Sequence, residues 1–414
     1  MSLLVCTHRV RGRFGETLLQ FFAITSASKR PKDGGADIIH IYSMLALLAL
    51  LPAATRWHEL EGYTFEKWAA EFGRTYSSVS ERAARDKSFT ARLADIRAHN
   101  ADSAQTYKRG VNHMSDRTAE ELSQLHGLDR VRLFAERAAI EPPLPLHDST
   151  TPLPQSQDWR RVGAITPVKD QGACGSCWSF ASAETLESHW YLKTGQLEEL
   201  SEQFILDCTP NPKQCGGSGG CGGGTGALAY DRLKELGGIP SEWKYSYLSG
   251  NGSAGVCHGL PLPPQIQPAH QGSIGKAANV SGRVSLPTNS LEAMMTAVGL
   301  VGPLAISVDA GAWHDYESGV FDGGNHTHPT LDHLVQLVGY GEDADLGAYF
   351  LVRNSWTPQW GEGGYIRLKR HTGDDPPCGI DLQPADGDGC KGGPASVKVC
   401  GQNGMLYDGV YPLV

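Results

Sequence analysis

The sequence predicts an α+β fold whose later part divides into a helical half and a strand half, with any functional site in the cleft between them. Three observations predict it. Residues 63–126 are charged, lack cysteine and carry helical periodicity. Nine of the ten cysteines follow residue 170, on a glycine-rich background. Short runs rich in Val, Ile, Leu and Tyr recur between glycine turns from Leu304 onward.

Residues 1–54 read as a leader. "MLALLALLPAA", Met44 to Ala54, has the length and small-residue exit of a signal-peptide apolar region. It is too short for a membrane span, which takes about 20 apolar residues. Met44 is read as the true start, which leaves residues 1–43 outside the real protein. The alternative is a signal-anchor over 38–54 behind a basic tail (Arg9, Arg11, Arg13, Lys29, Arg30, Lys32), the only route by which this chain would meet a membrane.

From Tyr63 to His126 a helical domain follows. Phe65, Trp68, Ala69 and Phe72 share one helix face, and Phe89, Leu93, Ile96 and Asn100 continue a stripe along a second helix starting near Ser80. Residues 138–157 are proline-rich and polar, an exposed linker open to proteolysis. An activation linker is therefore placed at 127–151 and the main domain at 152–414. Within it, "CWSFASAETLESHWYLKTG", Cys177 to Gly195, predicts a helix with Trp178, Ala181, Leu186 and Trp190 inward. "LAISV", "HLVQLVGY", "AYFLVRNSW" and "GYIRLKR" predict strands.

Composition narrows the class. Glycine supplies 50 of 414 residues, well above the usual share of about 7%, which marks a loop-rich main domain. A formal net charge of −9 provides no basic face, so a nucleic-acid partner is excluded. The cysteine density reads as an oxidising, secretory-pathway destination, extracellular or lysosome- or vacuole-like. Sequons at Asn251, Asn279 and Asn325, the glycosylation candidates, agree with it.

"DQGACGSCWSF", residues 170–180, admits four readings: a redox pair, half a metal site, a disulfide anchor, or a nucleophile. A redox pair needs a thioredoxin-like βαβ context, which is absent, and zinc needs two further ligands at short spacing. His326 and His328 beside the Asn325 sequon read as a solvated loop. A cysteine attacks only as thiolate, so its pKa must be lowered from about 8.5. Cys177 begins the expected helix, whose N-terminus carries partial positive charge. His333 opens an apolar strand and Asn354 leaves another, offering an imidazole and an amide to hold it.

"CGSCW", "LDHLVQLVGYG" and "NSWTPQWGEGGYIRLKR", in this order, resemble the blocks of papain-like cysteine proteases, and the resemblance covers nearly everything from Tyr63 to the end. It implies a two-lobed papain-like fold with a helical left half and a β-barrel-like right half. It further implies Cys177 as nucleophile, His333 as general base and acid, Asn354 as the ring's orienter and Trp356 as its shield. Gln171 and the Cys177 backbone N–H would form the oxyanion hole. "CGGGTG" looks like the family's substrate-pairing strip, with Gly223 and Gly224 at the matching positions. Ser307, Leu331 and Leu334 would line the main specificity pocket and favour an apolar residue at the second position from the cleaved bond.

The pro-segment is similar to cathepsin L-like propeptides. Glu81, Arg85, Phe89, Ile96 and Asn100 fit the ERFNIN helix, with Arg92 where that pattern has asparagine. "GVNHMSD", Gly110 to Asp116, resembles GxNxFxD with Met114 replacing phenylalanine. The resemblance also implies bridges Cys174–Cys221 and Cys208–Cys257, although Cys215 competes with Cys221. Cys215, Cys378, Cys390 and Cys400 then form a set of their own, in an atypical cysteine-rich tail over 378–414 that carries an insertion at 381–409.

The expectation is a monomeric cysteine endopeptidase made as a zymogen, active on protein or peptide substrates at mildly acidic pH. Its own propeptide would be its intramolecular inhibitor, and no metal or cofactor is needed. The rivals are a catalytically silent binding or storage protein and a thiol–disulfide oxidoreductase.

Overall fold

A computed structural model describes residues 55–126, 151–258, 276–373, 376–384 and 389–414. The leader with its signal-like run and residues 127–150 of the activation linker lie outside the described residues. Among those described, no helix is long and apolar enough to cross a membrane.

Helix α1 (Phe65–Glu71) starts where the Thr64 hydroxyl accepts from the Lys67 N–H, and α2 (Val79–Ala101) where Ser78 accepts from Glu81. The second start lies one residue before the expected position. Their apolar stripes meet: Phe65 and Trp68 pack on Phe89, Leu93 and Ile96, all buried, with Val111 closing the cluster. Strand β1 (Tyr107–Arg109) and α3 (Ala119–Ser123) complete this small domain.

β2 (Gln157–Asp158) enters the main domain and pairs with a later central strand. The helical half follows: α4 (Cys177–Thr194), α5 (Glu202–Cys208) and α6 (Gly226–Leu236). Of the positions expected to face inward on α4, Trp178, Ala181 and Leu186 are buried, and burial extends well beyond them. Every residue from Cys177 to His189 is buried, whereas Trp190 is only half-buried. The helix runs between the halves, so opposite faces meet different cores. Leu186 joins the helical half's cluster, while the Glu184 carbonyl accepts from Gln336 Nε2 on the strand side at 2.9 Å.

The strand half holds β3 (Gly282–Ser285), a short α7 (Leu291–Thr296) continued by a π-helical turn, β4 (Leu304–Val308), β5 (Tyr316–Phe321) and β6 (His333–Asp343). After them come β7 (Gly347–Arg353), β8 (Tyr365–Lys369), β9 (Cys378–Asp381), β10 (Val397–Cys400) and β11 (Gly409–Leu413). The main sheet runs β1-β5-β8-β7-β6-β4-β11-β3, with only β5 and β8 parallel. Its first strand comes from the N-terminal domain: Tyr107 lies opposite Gly319 and Lys108 opposite Ser318. β9 and β10 form a separate hairpin ladder. Only part of the expected 381–409 insertion is appended to the fold, because Met405 and Leu406 are core residues of the main sheet.

Candidate active site

Cys177 is the first residue of α4, placed there because Ser176 takes the N-cap position. It is the free cysteine among the described residues. Cys174 is bonded to Cys221 and Cys208 to Cys257, while Cys215 pairs with Cys390 and Cys378 with Cys400. Cys174 and Cys177 therefore do not share a bridge, which the oxidoreductase reading requires.

Cys177 and His333 line one small cavity together with Gly223, Gly224, Ser307, Leu331 and Leu334. The topology brings them together. α4 contributes its first turn, β6 its first residue opposite Val308, and the Gly222–Gly224 loop lies against Trp178. A Cβ at Gly224 would stand 2.8 Å from the Trp178 ring, so only glycine lets the backbone approach there.

His333 Nε2 lies 2.8 Å from Asn354 Oδ1. Its other nitrogen, Nδ1, is buried without a hydrogen-bond partner. The Trp356 ring covers the pair, 4.9 Å from the imidazole and itself buried. Gln171 is held by Ser355, whose hydroxyl donates to Oε1 at 2.7 Å. Its NH2 donates to the carbonyls of Leu125 (2.7 Å) and Cys174 (2.9 Å).

The N-terminal domain fills the site. Leu125 sets its carbonyl against Gln171, and His126 pairs with Asp332, Nδ1 to Oδ2 at 2.7 Å, while its Nε2 lies 3.1 Å from His314 Nε2. In this closed state burial pushes the Cys177 thiol up to about 12, with the Asp332 charge adding to it and the Leu334 N–H opposing. Burial, then the neighbouring His126, pull His333 down to about 4. Both groups are thus neutral across the physiological range.

The two departures in the pro-segment have visible uses. Arg92 reaches Asp315 of the main domain at 3.1 Å, and Arg109 reaches the same carboxylate at 2.7 Å. Met114 is buried with Leu122 and Leu125 against the sheet's core. The rest of the motifs fix the local fold. Arg85 forks onto Glu121, Asn100 brackets Arg109, and Asn112 Nδ2 donates to the His314 carbonyl.

Asn251, Asn279 and Asn325 are all exposed. His326 and His328 are exposed beside backbone carbonyls of Asp322 and Ile380. Sequence reasoning missed His126, Asp332 and Ser355. Ser355 lies inside the quoted "NSW" block and was within reach, whereas His126 stands in no motif at all.

Comparison with known proteins supplies the rest. Residues 153–386 match the family described as papain family cysteine protease, and residues 65–122 the cathepsin propeptide inhibitor domain. Fruit bromelain of Ananas comosus is 36% identical over 324 residues, 77% of this chain and 84% of the relative. Cathepsin L2 of Homo sapiens is 33% identical over 334 residues, 79% and 90% respectively. Among solved structures, a digestive procathepsin L2 proteinase from Tenebrio molitor larval midgut superposes with a TM-score of 0.67 at 28% identity. That match covers 84% of this chain and 98% of the other. A recombinant stem bromelain precursor gives 0.65 at 31%, covering 84% and 97%.

Proposed function

This chain belongs to the papain family of cysteine proteases and carries the family's inhibitory propeptide, and from that premise we propose that it is an endopeptidase in which Cys177, His333 and Asn354 carry the reaction. One observation supports this above the others: a free cysteine at a helix N-terminus shares a cavity with an imidazole whose far nitrogen is held by an amide oxygen.

When the propeptide leaves, water enters and the burial that keeps both groups neutral is relieved. The thiol proton passes to His333 Nδ1, and the α4 terminus steadies the thiolate. Sγ attacks the substrate carbonyl, whose oxyanion takes the place of the Leu125 carbonyl at Gln171 Nε2 and the Cys177 N–H. His333 hands its proton to the leaving amine. It next takes one from water, which attacks the acyl-enzyme and frees the thiol. Asn354 keeps the ring in plane throughout, under Trp356.

Leu331, Leu334 and Ser307 form the wall beside Gly223 and Gly224, which favours an apolar residue at the second position from the cleaved bond. Mildly acidic pH, passage through the secretory pathway and glycosylation at the three exposed sequons complete the reading. A cysteine-directed epoxide, applied before and after acid treatment, tests it. One adduct is expected, on Cys177 after activation, and Cys177→Ala abolishes both adduct and peptide cleavage. Acid-treated protein that takes no label and cleaves no peptide sinks the proposal.

A further inference from the structure

The proposed oxyanion donors, the Gln171 amide and the Cys177 N–H, stand at the two ends of one irregular loop that forms neither helix nor strand. Ser355 fixes the Gln171 side chain, which leaves the main chain of the loop to be held. A tyrosine from elsewhere in the helical half holds it. Tyr247 Oη donates to the Gln171 carbonyl at 2.8 Å and lies 2.7 Å from Ser176 Oγ. A phenol has one proton to give, and the carbonyl takes it, so the serine donates to the tyrosine. Ser176 is the N-cap of α4, yet its side chain makes no capping bond to the helix. An N-cap serine ordinarily satisfies one of the first N–H groups. Here its hydroxyl serves Tyr247 instead.

Tyr247 is itself well anchored. Its ring meets Phe180 of α4 edge-on, 4.8 Å between centroids, and its N–H donates to Glu242 Oε1 at 2.7 Å. The next two N–H groups, of Leu248 and Ser249, donate to Gln203 Oε1 on α5 at 2.8 and 3.1 Å. The Gly250 carbonyl then accepts from the Ala173 N–H at 2.8 Å. At Gly172, whose φ is +67°, a Cβ would stand 2.4 Å from that carbonyl oxygen, so the two backbones are in direct contact. The segment from Tyr247 to Gly250 is thus the bed on which the loop before Cys177 lies.

We infer that Tyr247 is a positioning residue for the proposed reaction: its hydroxyl clasps Gln171 and Ser176 together and so sets the spacing of the two oxyanion donors. The inference rests on the protease reading above and deepens it. Removing the hydroxyl frees one end of the loop from the other, while Ser355 still holds the Gln171 side chain. The two donors then meet the oxyanion less well, whereas the thiol and His333 keep their places.

The test uses the acid-activated enzyme and Tyr247→Phe, which keeps the ring on Phe180 and removes only the oxygen. Two rates are compared: peptide cleavage, which passes through an oxyanion, and alkylation of Cys177 by iodoacetamide, which does not. Tyr247→Phe is expected to lower kcat about 10-fold, with KM and the alkylation rate each within about twofold and the pH profile of alkylation unmoved. Ser176→Ala, which loosens the other end of the clasp, is expected to lower kcat about threefold with alkylation again unaffected. Unchanged kcat in either variant, a rise in KM at constant kcat, or cleavage and alkylation falling together overturns the clasp. If Tyr247→Phe does not fold, Ser176→Ala decides the matter alone. Loss of both cleavage and the Cys177 adduct in wild type overturns the protease reading and the role of Tyr247 with it.

Discussion

His126 of the propeptide and Asp332 of the peptidase domain form a buried pair, Nδ1 to Oδ2 at 2.7 Å, one residue from the histidine at the centre of the site. Burial alone would lower the His126 pKa, but the charge and hydrogen bond of Asp332, with Asp309 behind it, raise it instead. The propeptide is therefore fastened by charge at the lining of the cavity that holds Cys177.

Removing one member of such a pair leaves the other buried and uncompensated, typically a loss of about 3–5 kcal/mol. His126→Ala is expected to process faster than wild type at acidic pH, where the pair is charged, and to show thiol labelling of Cys177 before cleavage. Gel analysis of processing over time checks it. Unchanged kinetics count against the pair as a fastening.

Two histidines of the propeptide respond to acid in opposite senses. His113 is pushed down to about 3, by burial first and then by Arg117 and Arg74. Its form in the folded propeptide is neutral, so the propeptide loses stability as pH falls below the free value of about 6.5, by up to about 1.4 kcal/mol per pH unit. His126, raised by its partner, contributes below that value and stops contributing as pH rises through its docked pKa. His113→Gln is expected to move the pH of half-maximal processing downward, where His126→Ala moves it upward. Shifts of the same sign refute this assignment.

Ser355 holds Gln171 through its hydroxyl, which donates to Oε1 at 2.7 Å. Losing an oxyanion donor outright costs about 10²–10³ in kcat. Ser355→Ala is expected to lower kcat by about 10-fold or more while KM stays within about twofold, and Ser355→Thr to restore part of it. A rise in KM at constant kcat would mean the hydroxyl only shapes the pocket.

Arg92, at the position where the ERFNIN pattern has asparagine, ties the long helix to Asp315. Arg92→Asn keeps Arg109 on that carboxylate, so a partial loss of about 1–2 kcal/mol is expected. The zymogen's melting temperature should fall while that of the processed enzyme does not move. Equal shifts in both forms would show that the substitution acts elsewhere.

Helices with one apolar face and strands of β-branched residues were legible in the sequence, because each obeys a local period. Cys177, His333 and Asn354 were legible because each sits in a long block of recognisable residues. The full extent of the burial of α4 was not legible, because the helix is buried on opposite faces, which no single period encodes. The π-helical turn after α7 carried no signal. His126 and Asp332 were invisible for a different reason: their partnership exists only once two domains dock. The Cys215–Cys390 bridge joins residues 175 apart in the chain, and spacing alone does not fix such a pairing.

Strand β1 occupies the outer edge of β5, with Tyr107 opposite Gly319 and the Val320 N–H donating to the Thr106 carbonyl at 3.2 Å. Maturation therefore uncovers a bare margin of unsatisfied main-chain groups as well as a catalytic groove. Such margins recruit any extended polypeptide, including a second copy of the same molecule. Until it leaves, the propeptide keeps that margin covered.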